Sequence, residues 1–288
     1  MALTDINQIS EQVQKKWAPL FMQELREQLL LGALVNKDYE GSIGAEGDTV
    51  YVSQINAPQG ALKTVGTDAD TFDSELLSTT RVAIQANKRA VAAFEIADTA
   101  KLMSQLDSKD SEIRQSLLFA VSKQINDYIY SLVSASTSAP DHVISGVSDF
   151  NAAQVSTLRV LAGQSKWMKN KPWTILADPV FHGDLLNAQT LVSQDFVSDK
   201  PVVGGQMGTQ RFGFNIFEDN SLPADHALAF HPDFLGLVMQ YEPRFKISDL
   251  HSQKKFGILM SVDIVFGASQ LIDGDVKHIQ VYNSAWAP

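Results

Sequence analysis

The sequence predicts an α+β fold in which long strands and one long helix are joined to a smaller region of mixed helices and strands. Two strand-like runs, 48–58 and 79–96, flank a segment at 59–78 that has neither a helical nor a strand period. A long amphipathic helix is predicted at 109–135, and long strands return after residue 241. Helices and strands that alternate in only part of a chain are typical of mixed architectures.

The first 34 residues, 1–34, predict a helical arm with a break near Pro19. Ile9, Val13 and Trp17 fall on one face at helical spacing. Proline fits the first turn of a helix but disrupts the interior of a continuous one, so a second helix is expected after the break. Trp17 either packs locally or holds the arm on a neighbouring copy, and it is a candidate for contact between subunits.

The run at 79–96 predicts an unusually long strand. Apolar side chains recur at even positions without a change of phase, which indicates a strand with one covered face. These residues are Val82, Ile84, Ala86, Ala90, Ala92, Phe94 and Ile96. Together with 48–58 it forms a predicted hairpin, 48–96. A two-stranded hairpin is marginally stable alone in water, so we expect it to pack on another copy of the chain.

The segment 59–78 is the predicted loop of this hairpin. Loops of this length without secondary structure are usually functional or disordered. Its candidate residues for contact between subunits are polar or charged: Gln59, Lys63, Asp68, Asp70, Asp73 and Glu75. The acidic members either form a solvated tip or dock on basic residues of a neighbour, with Lys63 as the nearby cation.

The helix predicted at 109–135 carries one apolar stripe at steps of three and four residues. The stripe consists of Ile113, Leu117, Val121, Ile125, Tyr128 and Leu132. At about 1.5 Å per residue this helix is about 40 Å long. Such a length suits a beam that runs along an elongated subunit.

The remaining pattern predicts two domains. Segments 35–148 and 241–288 form an elongated, discontinuous domain, and 149–240 is a compact α/β region inserted into it. The second segment contains a long strand whose apolar residues share one face: Ile258, Met260, Val262, Ile264 and Phe266. Gly267 follows them and is expected to mark a bulge or bend.

Composition and motifs favour a structural protein over an enzyme. The chain has 288 residues, a formal net charge of −10 and no cysteine, which excludes disulfides, thiolate metal sites and cysteine nucleophiles. No Lys/Arg-rich tail suggests specific nucleic-acid binding. The six histidines show no metal-binding spacing, and no phosphate-binding loop or nucleophile elbow is present. We therefore expect no catalytic residue, no cofactor, no metal and no membrane span.

The order of these parts resembles that of a known family. The similar phrases are VNKDYEG and GDTVYVSQI (35–55), AFEIADTAKLM and IRQSLLFAVSKQINDYI (93–129), WTILADPVFHGDLL (173–186), GTQRFGFNIFEDNSLP (208–223) and VFGASQL (265–271). The chain resembles the major capsid proteins of tailed bacteriophages, which have the Hong Kong 97-type fold. The resemblance covers nearly the whole chain and rests on architecture more than on one motif.

This resemblance implies a function and a set of partners. The hairpin 48–96 would be the extended loop, 109–135 the spine helix, and 149–240 the axial domain, while 35–148 and 241–288 make the peripheral domain. Copies would form pentamers and hexamers of an icosahedral virion shell around double-stranded DNA, which is contacted non-specifically. Assembly would occur in the host bacterial cytoplasm.

The resemblance also implies accessory proteins and leaves alternatives. A portal is expected, and so is a separate scaffolding protein, because no scaffolding segment precedes the arm. Some relatives cross-link a lysine to an asparagine of another subunit. No motif in this sequence identifies a partner asparagine for Lys63, so no cross-link is inferred for this chain. The alternatives are an encapsulin-like compartment for cargo and an α/β enzyme with an unplaced pair of carboxylates.

Overall fold

A computed structural model describes residues 29–39, 49–60, 62–63, 74–98, 110–133, 142–167, 171–188, 212–241, 243–271 and 277–283. The helices in these ranges are α1 (Leu31–Leu34), α2 (Asp110–Val133), α3 (Ala152–Gln164) and α4 (Pro179–Asn187). The strands are β1 (Thr49–Ile55), β2 (Thr79–Gln85), β3 (Lys88–Ala97), β4 (His142–Ser145), β5 (Trp173–Ala177), β6 (Phe214–Glu218), β7 (His226–Phe230), β8 (Leu235–Met239), β9 (Arg244–Asp249), β10 (Gly257–Gln270) and β11 (His278–Tyr282).

A four-stranded antiparallel sheet is built around β10, which spans 14 residues. β3 pairs with one side of β10, while β9 and then β8 pair with the other side. The period-two pattern holds along β10, because Met260, Val262, Ile264 and Phe266 are all buried in the core that also contains residues of α2. The predicted strand and its covered face are therefore confirmed.

The helix α2 is confirmed, and its predicted stripe packs on the core, but only Leu117 and Val121 of the stripe are fully buried. Leu117 and Val121 are buried in the same core as the apolar face of β10. In the second half the buried residues are Asn126, Ile129, Tyr130 and Val133 instead of Ile125, Tyr128 and Leu132, which are half-buried.

The buried face of α2 changes because the helix meets different neighbours along its length. Its second half contacts α1, where Asn126 Oδ1 accepts a hydrogen bond from Gly32 N at 3.3 Å. Its end meets β11, where Gln280 donates to the carbonyl of Val133. A stripe read at one constant angle cannot anticipate these two extra partners.

A five-stranded mixed sheet has the order β4, β11, β7, β5, β6. One face packs against α3 and α4, through residues such as Ile175, Ala229 and Val281. The opposite face contributes Leu176, Leu228 and Phe230 to the core that contains α2. Both faces are covered, which is why β5 and β7 are buried at every position and show a continuous apolar run rather than alternation.

The two helices on this sheet begin at strong N-caps. Asn151 and Gln154 form a reciprocal capping box at the start of α3. The Asp178 side chain accepts hydrogen bonds from the backbone of Val180 and Phe181, with Pro179 in the first turn of α4. These caps fix the first turns of α3 and α4.

The sheets cross the predicted domain boundaries at 148/149 and 240/241. β4, from the first outer segment, and β11, from the last, both pair within the five-stranded sheet. Conversely β8, inside 149–240, pairs with β10 in the four-stranded sheet. Pairing between distant strands cannot be read from local composition. The division into two domains itself stays a proposal.

The prediction of one strand over 79–96 is wrong. The run divides at Ala86 and Asn87, where Asn87 N donates to Gln85 O at 3.0 Å. Residues of β2 pair with β1 in a separate two-stranded sheet, whereas β3 pairs with β10 in the body. The phase of burial continues across the break, since Ile84, Ala86 and Ala90 are all buried. Alternation alone therefore could not reveal the division.

Candidate interaction surface

The two-stranded sheet of β1 and β2, called the ribbon below, projects from the body of the subunit. Its antiparallel register runs from Thr49 opposite Gln85 to Ile55 opposite Thr79. Burial falls along the face that meets the body: Val50 and Ile84 are buried, Val52 is half-buried, and Gln54 is exposed. The ribbon is thus supported by its own chain only where it leaves the body.

The far end of the ribbon is closed by hydrogen bonds between its two arms. Asn56 N donates to Ser78 O at 3.0 Å, and its side-chain amide donates to Ser78 Oγ at 3.1 Å. Gln59 N donates to Glu75 Oε2 at 3.0 Å. Two of the predicted contact residues, Gln59 and Glu75, are therefore brought together and hold the base of the loop.

The other predicted contact residues are only partly placed. Lys63 lies in the described part of the loop and is half-buried. Trp17, Asp68, Asp70 and Asp73 lie outside the described residues.

The most exposed apolar side chains of the ribbon end are leucines that sequence reasoning missed. Leu62, Leu76 and Leu77 are 104%, 96% and 74% exposed, beside Ile55 at 66%. Exposed apolar side chains that are grouped on one element mark an interaction site more often than scattered ones do. The available signal was three leucines inside a largely polar segment that has no helical or strand period.

The end of the ribbon next to the body, called the ribbon root below, consists of Val50, Ile84 and the adjoining Ala86. It packs on the face of the four-stranded sheet that is opposite α2. Val50, Ile84 and Ala86 form a small apolar cluster with Val238 of β8 and Leu271. Val238 stands opposite Gly267 in the β8–β10 ladder, so these two positions share the outer face. This cluster is separate from the core that holds α2.

Two glycines let the ribbon root lie directly on the sheet backbone. A Cβ placed on Gly267 would lie 2.1 Å from Gln85 O and 2.9 Å from Ala86 Cα. A Cβ on Gly236 would lie 2.9 Å from Ile84 Cδ1 and 2.7 Å from a Leu271 methyl group. Gly267 was expected to mark a bulge or bend, yet its ladder with β8 is continuous. Its role is close approach of two backbones.

A groove of about 290 Å³ lies between the ribbon and the body. Its walls combine Val52, Gln54 and Thr80 from the ribbon with Tyr39 and Asp38 from the segment after α1. Because of this groove, the ribbon does not pack on the body along its whole length. Its angle to the body therefore depends on the contacts at its root.

The floor of the groove holds a polar cluster centred on Asp233. Lys171 Nζ and Asn36 Nδ2 contact Asp233 Oδ1 at 2.6 Å and 2.8 Å. Burial raises the pKa of Asp233, but hydrogen bonds from Lys171 and Asn36 outweigh it and leave the pKa below its ordinary value. The carboxylate stays ionised and joins three distant segments of the chain, near residues 36, 171 and 233.

A second polar cluster secures α2 to the loop after β6. Tyr130 Oη donates to Asp219 Oδ2 at 2.6 Å, and Ser221 N donates to Asp219 Oδ1 at 2.9 Å. Burial, and next the charge of Asp219, raise the pKa of Tyr130 well above its ordinary value. The phenol therefore keeps its proton and remains a donor, which stabilises the fully buried carboxylate.

These clusters join segments that are distant in the chain. Among the residues that the structure describes, no group of three or more His, Cys, Asp or Glu side chains could hold a metal ion. His182 is buried, with Nδ1 3.7 Å from Glu218 Oε2, and burial lowers its pKa. Within the same described ranges, no helix is sufficiently long and apolar to span a membrane.

Solved structures of similar fold come from phages. A structure from Mycobacterium phage Che8 matches with a TM-score of 0.75 and 17% identity, covering 93% of this chain and 96% of that one. The capsid structure of cyanophage P-SCSP1u matches with a TM-score of 0.72 and 15% identity, covering 96% and 95%. The capsid asymmetric unit of cyanophage Pam1 gives 0.71 and 13%, covering 99% and 100%.

These matches define the class as the Hong Kong 97-type capsid fold, which confirms the resemblance seen in the sequence. No curated protein matches the chain. The family model described as phage capsid protein matches residues 42–282, so the chain belongs to the phage capsid protein family. It is a structural subunit of the phage virion shell, and the compartment and enzyme alternatives are not favoured.

Proposed function

We propose that copies of this major capsid subunit form pentamers and hexamers of an icosahedral shell, with each ribbon lying across a neighbouring copy. The observation that carries the proposal is the ribbon itself. It is fastened to its own chain only at the root, and its far end presents Ile55, Leu62, Leu76 and Leu77 to solvent. Apolar side chains in this state gain stability when another surface covers them.

The polar residues of the ribbon end contribute specificity to this contact. Gln59 and Glu75 hold the two arms of the loop together through a 3.0 Å hydrogen bond, so the exposed leucines are presented on a closed base. Lys63, Asp68, Asp70, Asp73 and Trp17 remain candidate contacts with neighbouring copies. Charged groups at such an interface act mainly on partner choice and on the rate of encounter.

The partners follow from the role of a container. A net charge of −10 suits a shell that touches packaged double-stranded DNA without gripping it, since tight phosphate contacts need many Lys and Arg. A portal and a separate scaffolding protein act with the subunit, and assembly takes place in the host bacterial cytoplasm. Many weak contacts between copies add up through multivalency.

The test is to replace the ribbon end and ask whether shells still close. Residues 57–77 are replaced by an Asn-Gly turn, which keeps the Asn56–Ser78 hydrogen bond and the whole β1–β2 ladder. The variant and the unaltered chain are expressed with the phage's scaffolding protein and examined by electron microscopy and circular dichroism. We expect folded subunits and no closed shells. Normal shells from this variant contradict the role assigned to the ribbon.

A further inference from the structure

The ribbon root rests on two glycines that differ in what they touch. Over Gly267 the neighbour is backbone, because an added Cβ would meet Gln85 O at 2.1 Å and Gln85 C at 2.6 Å. Over Gly236 the neighbours are the ends of side chains, Leu271 Cδ2 at 2.7 Å and Ile84 Cδ1 at 2.9 Å. Real Cβ atoms do not approach this closely, so a methyl group at either position must displace something.

We propose that Gly236 and Gly267 are positioning residues that set the angle of the ribbon to the body, and thereby determine which particle the subunit builds. The inference rests on the proposed role of the ribbon in joining subunits. The two glycines and the ribbon root above them are called the seat below. The seat controls the angle of the ribbon and not only the stability of the subunit.

Few contacts other than those at the root hold the angle of the ribbon to the body. Beyond the root, the groove lined by Val52, Gln54 and Thr80 separates the ribbon from the body. The root cluster is small and is distinct from the main core, so a shift there leaves the packing of α2 unchanged. A displaced root therefore tilts the ribbon without unfolding the subunit.

The ribbon amplifies a small tilt at its root into a larger displacement at its far end. Its seven paired residues span about 23 Å at about 3.3 Å per residue, and a tilt of about 10° moves the far end by about 4 Å. Side-chain contacts are lost over much shorter distances than this. In a closed ring each subunit meets its neighbour by the same rotation, so a small constant error changes the curvature or prevents closure.

The two glycines should respond differently to replacement by alanine, because their neighbours differ. Gly236→Ala meets flexible side-chain ends, so shortening them with Ile84→Val and Leu271→Val makes room for the methyl group. Gly267→Ala meets the backbone of Gln85 and Ala86, which no shortened side chain can relieve. If the shortened side chains restore the ribbon angle for Gly236→Ala but not for Gly267→Ala, the contacts between the ribbon root and the two glycines set that angle.

The ribbon angle is measured directly in dispersed full-length subunits. The chain has no cysteine, so Ser53→Cys on the ribbon and Ser248→Cys on β9, both exposed positions, can be spin-labelled cleanly. Pulsed electron paramagnetic resonance then gives the distance between the two spin labels. We expect a change of about 4 Å or more in Gly267→Ala and a smaller change in Gly236→Ala, which returns toward the original distance when both side chains are shortened.

Helical glycines with open surroundings supply matched controls. Cβ atoms on Gly163 in α3 and Gly183 in α4 would have nothing within 4 Å, so Gly163→Ala and Gly183→Ala should leave both distance and particles unchanged. Particle diameter and closure are then compared by electron microscopy. If Gly267→Ala does not fold, the Gly236→Ala series alone decides the question.

Each result has a defined meaning. Shifted distances with particles of altered size, open sheets or spirals support the inference, while unchanged thermal stability in the same variants excludes a purely structural role. Original distances and particles in both Gly236→Ala and Gly267→Ala overturn it, as do equal shifts in the helical controls. Absence of particles from the unaltered chain under all conditions counts against the proposed function instead, and the label distances still test the seat.

Discussion

The exposed leucines of the ribbon end allow a test that separates assembly from folding. Leu76 and Leu77 are 96% and 74% exposed in the single subunit, so replacing both with serine removes no packing from it. Exposed substitutions of this kind change the free energy of unfolding by no more than about 0.5 kcal/mol. Unfolding by urea should therefore be the same for the Leu76→Ser, Leu77→Ser variant and the unaltered subunit.

Assembly should respond very differently. Full burial of one leucine is worth about 1.5–3 kcal/mol, so two that become covered by a neighbour contribute about 3–6 kcal/mol to each contact. Each 1.4 kcal/mol is about a tenfold change in affinity, so the critical concentration should rise at least about a hundredfold. Sedimentation of assembly reactions over a range of protein concentrations measures this quantity.

A conservative pair of substitutions is the control. Leu76→Met and Leu77→Met keep the apolar surface and should assemble at nearly the original concentration, since such volume-conserving exchanges are tolerated well. An unchanged critical concentration in the serine variant would refute the idea that the ribbon end is covered by another copy. Loss of assembly in the methionine variant would show that shape, rather than apolar area, governs the contact.

Two further predictions concern the body of the subunit. Leu117 is 1% exposed, so Leu117→Ala should reduce the free energy of unfolding by about 2–5 kcal/mol in urea titrations, with Ser122→Ala on the exposed side as control. A loss below about 0.5 kcal/mol would mean that this face of α2 does not carry the core. For Asp263, the hydrogen bond from Arg89 lowers the pKa more than burial raises it. Its contribution is therefore present above the unfolded pKa of about 3.9 and is lost as the pH falls through the lower folded value. Asp263→Asn should be less stable at pH 7 and lose less stability on acidification, and parallel curves of stability against pH would contradict this.

Local sequence patterns predict many of the helices and strands of this fold. The alternation along β10 and the helical period of α2 each reflect a single element facing a covering layer, and the helix predicted at 109–135 is observed at Asp110–Val133. The caps at Asn151 and Asp178 are short-range hydrogen bonds, so neighbouring residues determine where α3 and α4 begin. The resemblance to the capsid family rested on the order of such elements.

The candidate site was predicted less completely. The sequence predicts the hairpin loop at 59–78, but the pairing of Gln59 with Glu75 and the exposure of Leu62, Leu76 and Leu77 depend on how the two arms of the loop meet. The role of Gly236 could not be predicted, because the atoms that crowd it come from Ile84 and Leu271, far away in the chain. Nothing adjacent to a glycine in sequence indicates that another backbone will rest on it.

Residues close in the chain thus decided which segments become helix or strand and which faces become buried. The tertiary structure alone decided where the run 79–96 divides, because one half pairs with β1 and the other with β10 while the alternation stays in phase. It also decided how the outer strands β4 and β11 join the five-stranded sheet, and how the second half of α2 turns its buried face. Hydrogen bonds and contacts between distant segments select these arrangements, and a local period carries no information about them.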